Sequence, residues 1–376
     1  MPSVTRLVER PAYKQSEIVD SLLRQIIAGK LPPRSQIPSL NALAEQFKTT
    51  NNTVQLAIRR LREEEYIVTV PGKGAYVSEK PPHLTNFGIV FQQQPGSMPS
   101  VSSYLRAWHE ETLRANETGP YRAMPFYVAE APASWKQQQE LMAAVENHRL
   151  SGLIFPNPPF LFRNTPVLES PDLPRVTIEY DAWPRAHCIQ LASILSPMLD
   201  HLASRGRRRI AFITCDLTAL DVEEYIRSTT DAVHAKGMST RHHWIHASPM
   251  GGWASTCTEL LFCAGQADRP DALVILDDNI VPAATTGLLA AGLRVPDDVE
   301  VVAHANFPHP TPSAVPAKRI GYNIRWMLNR AINIILQWRQ GKEVPPSSPA
   351  PIVHDDEVSE VSSDDTANAH AEREVR

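Results

Sequence analysis

LPPRSQIPSLNALAEQFKTTNNTVQLAIRRLREEEYIVTVPGKGAYV, residues 31–77, decides how the chain is read. After the break at Pro38, Ser39 is a natural N-cap for a helix with Leu40, Leu43, Ala44 and Phe47 on one side. Residues 48–51 make a turn, and Asn51 or Asn52 can cap the next helix. In that helix Val54, Ala57, Ile58 and Leu61 face inward, which leaves Thr53, Gln55, Arg59 and Arg60 facing out. Strand-like runs at 66–70 and 75–77 flank the turn Pro71-Gly72-Lys73-Gly74. Upstream, residues 15–28 carry Ile18, Val19, Leu22, Leu23, Ile26 and Ile27 at helical spacing, and Gly29 stops that helix. A helix that buries its apolar stripe on two partners and still shows polar groups at its first turn suits base-edge reading. The glycines let backbone approach a sugar-phosphate chain, and Lys73 supplies charge at the tip.

At 376 residues the chain fits two or three domains. Its net charge of -4 hides a division. Residues 1–80 hold 12 Lys+Arg against 8 Asp+Glu, residues 81–353 hold 23 against 25, and residues 354–376 hold 2 against 8. A basic head on a near-neutral body fits a DNA-reading module joined to something that does not touch DNA. Cys188, Cys215, Cys257 and Cys263 show no metal spacing and are too few for a disulfide framework, so reduced thiols in a cytoplasmic protein are expected. No apolar run reaches a membrane span and no signal-peptide core is present, so no membrane partner is expected. The organisation expected is a DNA-binding domain at 1–78, a polar, proline-bearing linker at 79–86, a sensor at 87–354 and an acidic disordered tail at 355–376.

Residues 13–78 resemble the GntR family of winged-helix regulators, on Pro38-Ser39, Thr53-Val54 and Gly72-Lys73-Gly74. The resemblance implies DNA contacts from Ser39, Asn41, Asn51, Asn52, Thr53, Gln55, Arg59, Gly72, Lys73 and Gly74. Asn41, Asn51 and Gln55 stand where the family usually carries arginines. Arginine favours guanine O6/N7 whereas Asn and Gln favour adenine N6/N7, so a different operator preference follows.

From residue 87 short apolar runs alternate with helical patterns. Strand runs lie at 87–91, 123–128, 152–155, 209–214 and 272–276, with a possible one at 243–246. Helical patterns lie at 104–115, 135–147, 195–204, 222–236 and 253–262. Two successive α/β units suggest two lobes with a cleft between. Gly206-Arg-Arg-Arg-Ile-Ala-Phe-Ile213, the run RPDALVILDD at 269–278 and AGLRVPDDV at 291–299 resemble the effector domain of LacI-type regulators, relatives of periplasmic sugar-binding proteins. The implied fold class is α/β: an N-terminal winged helix-turn-helix joined to a two-lobed, type 1 periplasmic-binding-protein-like sensor. AraR-type arabinose regulators share this combination.

By that resemblance Arg227 falls at the family's ligand-binding arginine and Asp278 at its ligand aspartate. A carboxylate at a strand's C-terminal end is also expected on general grounds. Gln190-Leu191 and Ala303-His304-Ala305-Asn306 replace the family's Asp-Asn and Gly-Phe-Asp-Asp. Gln190 and Asn306 can read amides or hydroxyls, or serve structure alone. His242, His243 and His246 lack a carboxylate or cysteine at ligand spacing, so no metal is expected. Asp277-Asp278 has no nucleophile, phosphate loop or Schiff-base lysine beside it, so neither an enzyme nor a cofactor is expected. The function expected is a ligand-responsive transcriptional regulator, a repressor that binds a pseudo-palindromic DNA operator as a homodimer and senses a sugar-like metabolite. The alternative is a regulator or architectural protein with a degenerate sensor.

Overall fold

The computed structural model describes residues 11–92, 102–128, 135–215, 222–248, 252–263 and 268–358. Three helices open the chain: α1 (Pro11–Ile27), α2 (Leu40–Gln46) and α3 (Asn51–Glu63). They bury Ile18, Val19, Leu22, Leu23 and Ile26 against Leu43, Val54, Ala57 and Leu61, with Ile67 and Val77 of the following hairpin closing the cluster. Each fully buried aliphatic side chain stabilises this small core by about 2 kcal/mol. Strands β1 (Ile67–Val70) and β2 (Gly74–Val77) pair antiparallel from Ile67↔Val77 to Val70↔Gly74. Gly72 and Gly74 take φ of 74° and 109°, values that only glycine adopts freely, so the tight tip needs them.

The joint expected at 79–86 is partly regular: Pro82–Thr85 forms one helical turn, α4, with proline at its first position. Asn86 then enters the first lobe, whose elements are β3 (Asn86–Phe91), α5 (Ser103–Thr118), β4 (Arg122–Tyr127), α6 (Trp135–Glu146), β5 (Gly152–Phe155), α7 (Pro166–Glu169), β6 (Arg175–Glu179) and β7 (His187–Gln190). The second lobe holds α8 (Leu195–Ser204), β8 (Ile210–Cys215), α9 (Val222–Ala235), β9 (Ile245–Ser248), α10 (Trp253–Phe262), β10 (Ala272–Ile275), α11 (Val281–Ala290), β11 (Glu300–Phe307) and β12 (Lys318–Asn323). The strand expected at 243–246 starts later, at Ile245, because residues 242–244 form a 3-10 turn.

The last elements return to both lobes. Helix α12 (Ile324–Arg339) buries Ile324, Met327, Leu328, Ala331 and Ile335 in the core of the first lobe. Strand β13 (Ser347–Pro349) adds to the first sheet beside β7, and β14 (Ile352–His354) adds antiparallel to β12 in the second. The sheet orders are therefore β13-β7-β6-β5-β3-β4 and β14-β12-β11-β10-β8-β9, with every strand pair other than β12–β14 parallel. The chain passes between lobes at 191–194, at 323–324 and at 350–351. Two glycines mark close approaches in this framework. A Cβ on Gly152 lies 2.6 Å from Ile335 Cγ2, and one on Gly321 lies 1.9 Å from the Ala305 carbonyl oxygen.

Tyr66 ties the N-terminal domain to the first lobe. Fully buried, its hydroxyl donates to the carbonyl of His148 at 2.6 Å, and its ring stacks on His83 with centroids 5.9 Å apart. The Arg122 guanidinium lies 3.6 Å from the Glu65 carboxylate beside them. Burial, then the Arg339 and His148 charges, push His83 down to about 4, so its imidazole is neutral in this contact.

Candidate nucleic-acid interface and effector cavity

The exposed face of α3 carries Asn51, Asn52, Gln55, Leu56 and Arg59. The cap is not either asparagine: Thr50 holds that place, its side chain accepting from the Thr53 backbone N–H at 3.4 Å. Thr53 itself turns inward instead of facing out. It is buried, and its hydroxyl lies 3.1 Å from that of Thr50, so the two hydroxyls stiffen the helix start. Asn51 Nδ2 donates to Asn41 Oδ1 at 3.0 Å, which links the two helices of the motif on their exposed side. Ser39 caps α2, accepting from Ala42 N at 3.2 Å. Lys73 stands exposed at the hairpin tip between Gly72 and Gly74, its carbonyl held by Gln36 Nε2 at 2.9 Å. The motif thus exposes side-chain amides, one leucine and one arginine on α3, near its positive N-terminal end, and a lysine at the tip of the wing.

Between the lobes lies a cavity of about 720 Å³ at the C-terminal ends of the parallel strands. Four phenols line it: Tyr104, Tyr180, Tyr225 and Tyr322. Burial raises the pKa of each, so all four are protonated. Polar atoms come from Ser103, Ser228, Thr229, Asp277, Asn279, His304 and Asn306. The lobes meet across the cavity where Ser103 N donates to Asn279 Oδ1 at 2.6 Å and Asn306 Nδ2 donates to Ser103 Oγ at 3.1 Å. A second bridge lies beside it. The Glu111 carboxylate on α5, fully buried, accepts from Arg325 Nη2 at 3.0 Å and lies 2.7 Å from His309 Nε2 of the second lobe. Burial pushes that carboxyl up, but hydrogen bonds from Arg325, Arg114 and His309 overcome it and hold its pKa at about 2.

The expected pocket residues are placed differently from one another. Asn306 lines the cavity. Asp278 does not: it is buried beneath the wall, ion-paired with Arg319, with Thr311 Oγ1 donating at 2.8 Å and Asn306 Nδ2 at 3.1 Å. Its neighbours Asp277 and Asn279 face the cavity instead. Arg227 stands on the exposed side of α9, paired with Glu224. A helix turns 100° per residue, so the cavity-facing Tyr225, Ser228 and Thr229 put residue 227 on the far side. Gln190 is exposed and donates to the Tyr180 carbonyl at 3.0 Å, outside the lining. The reading from sequence missed Tyr104, Tyr180, Tyr225 and Tyr322. The i, i+3, i+4 spacing of Tyr225, Ser228 and Thr229 was the available signal for one of them. Among the described residues, no group of three His, Cys, Asp or Glu could hold a metal ion, and no helix is long and apolar enough to cross a membrane.

Residues 14–77 match the model of the bacterial regulatory proteins of the gntR family, and residues 199–352 match that of the periplasmic binding protein-like domain. The arabinose metabolism transcriptional repressor of Geobacillus stearothermophilus is 25% identical over 359 residues, covering 89% of this chain and 94% of that one. The mannosyl-D-glycerate transport/metabolism system repressor MngR of Escherichia coli is 35% identical over 71 residues, 19% of this chain and 29% of its own. In fold, the chain is similar to a LacI family transcriptional regulator from Lactobacillus casei solved with bound sucrose. The TM-score is 0.52 at 17% identity, over 72% of this chain and 98% of that one. The chain is thus a DNA-binding transcriptional regulator in which a winged helix-turn-helix that matches the gntR-family model is joined to a periplasmic-binding-protein-like domain with the fold of LacI family regulators.

Proposed function

We propose that the protein is a repressor that binds a pseudo-palindromic operator as a homodimer and responds to a small polar, sugar-like metabolite in the interlobe cavity. The observation that carries this reading is the contact of Ser103 with Asn279 and Asn306, which joins the lobes at the cavity wall. A ligand bound there interacts with both lobes, so it biases their closure and with it the placing of the winged helices. Asn51, Asn52, Gln55, Arg59 and Lys73 are the proposed reading and docking residues, with Ser39, Asn41, Gly72 and Gly74 supporting them. Support for a dimer comes from the neighbouring helices α10 and α11, which leave Trp253, Leu260 and Leu289 more than half exposed. The chain's likeness over most of its length to the arabinose metabolism transcriptional repressor supports the sign of the output.

A second reading has its own observation. Arg319 already neutralises Asp278, as expected of a sensor that no longer needs that carboxylate for a ligand. Selection of binding sites from random duplex DNA, followed by release assays with a metabolite panel, tests both. Two inverted half-sites and ligand-dependent release are expected. Enrichment of a single half-site would sink the dimeric operator, and tight binding indifferent to every metabolite favours the degenerate sensor.

A further inference from the structure

We infer that the interlobe cavity selects an uncharged ring compound and rejects phosphorylated or carboxylated forms of the same ring, with Asn306 Oδ1 and His304 Nε2 fixing its hydrogen-bonding edge. This rests on the reading of the cavity as the sensor site. Four phenols supply flat, half-apolar surface, the lining expected for the face of a ring. The lining includes no lysine or arginine, and no internal residue outside the described set is either of these. The Arg319 guanidinium below the wall has its charge matched by Asp278 and donates to the Thr311 carbonyl at 3.0 Å and the His304 carbonyl at 2.8 Å. Among the described residues, the one charged side chain of the lining is the Asp277 carboxylate. An anion entering here loses its water, finds no counter-charge and meets a like charge.

Three buried polar atoms of the lining residues have no partner among the described residues, the Tyr225 hydroxyl, Asn306 Oδ1 and His304 Nε2, and the last two sit side by side on one strand. Asn306 is 1% exposed and its Nδ2 is committed to Ser103 and Asp278, yet its Oδ1 has no partner among the described residues. That oxygen accepts only, so the ligand must bring an O–H or N–H. His304 Nε2, on the same strand two residues away, is also buried without a partner among the described residues. Burial holds that imidazole below its usual range, against the pull of Asp278 and Asp277, so it is an uncharged ring and not a cation for an anion to pair with. An unmet buried polar atom is unfavourable, and a ligand that meets both is favoured over an analogue that meets neither.

The test uses the full chain, with thermal shift and calorimetric titration against matched probes: D-glucose with glucuronate and glucose 6-phosphate, L-arabinose with arabinonate, adenosine with AMP. For any ring that binds, the neutral member is expected to bind at least about tenfold tighter than its anionic partners. His304→Phe, which keeps a ring of similar size, is expected to weaken the neutral ligand by about tenfold. Ser228→Arg sets a guanidinium on the cavity wall at a position whose hydroxyl bonds only its own helix, at Tyr225 O. It is expected to raise the affinity of the anionic partner by about tenfold and close the gap. An anionic member that binds the unaltered protein more tightly than its neutral partner overturns the inference and leaves the sensor reading intact. Stabilisation by no member of the panel overturns the sensor reading as well.

Discussion

Lys73 and Gln55 are both exposed on the proposed DNA face, but they are expected to do different things. Lys73, at the wing tip, is the proposed phosphate contact: Lys73→Ala should weaken binding at all sites about equally and reduce the salt slope by roughly one unit. Gln55, on the exposed face of α3, is the proposed base-edge contact. Gln55→Ala should relax preference at one base step by about 1–3 kcal/mol and leave the salt slope alone. Titrations of matched and mismatched duplexes at several salt concentrations separate the two, and an unchanged slope for Lys73→Ala removes the wing from the interface. In the sensor, Arg319→Ala strands the Asp278 carboxylate in the wall and is expected to destabilise the fold by about 3–5 kcal/mol. Urea denaturation measures this, and an unmoved midpoint means the pair is not holding that wall. Arg227→Ala, which alters only an exposed pair with Glu224, is expected to leave both stability and ligand response unchanged.

Among the elements, α3 shows how short-range chemistry sets a reading surface. Thr50 satisfies the Thr53 N–H and Thr53 turns inward, which orients Asn51, Asn52 and Gln55 outward on the first turns. Thr50→Ala is expected to destabilise the N-terminal domain by about 1 kcal/mol, seen as a lower melting midpoint, with weaker operator binding. Periodicity marked this helix and its apolar stripe because the 3.6-residue repeat is a local property. It could not tell Thr50 from Asn51 or Asn52 as the cap, since both residue types fill that role and only the chain's path chooses. The same limit explains α9. Its helical pattern was legible, but which of its faces met the cleft depended on what packed beneath it.

At the scale of the molecule, Tyr66, stacked on His83, bonds the 147–148 turn and so joins the N-terminal domain to the first lobe. His83 is neutral there because its folded pKa, about 4, lies below the usual value near 6.5. The unfolded chain therefore binds the extra proton: this contribution is whole above pH 6.5 and is lost as pH falls from there toward 4. Glu179, which burial and then Asp181 raise to about 7, works in the opposite sense, so the two must be separated by difference. His83→Gln is expected to remove one proton's worth of slope, at most about 1.4 kcal/mol per pH unit, from melting curves taken between pH 4 and 6.5. Parallel curves for the two proteins would rule the contact out as pH-sensitive. The sequence by itself determined the winged helix, the α/β alternation and the pairing of a reader with a sensor, because caps, turns and apolar periods act over a few residues. Only the tertiary structure decided that α12 and β13 return to the first lobe, that Asp278 is closed off by Arg319, 41 positions away, and that four tyrosines converge on one cavity. Those outcomes depend on which distant surfaces exclude water together, and no local pattern records that.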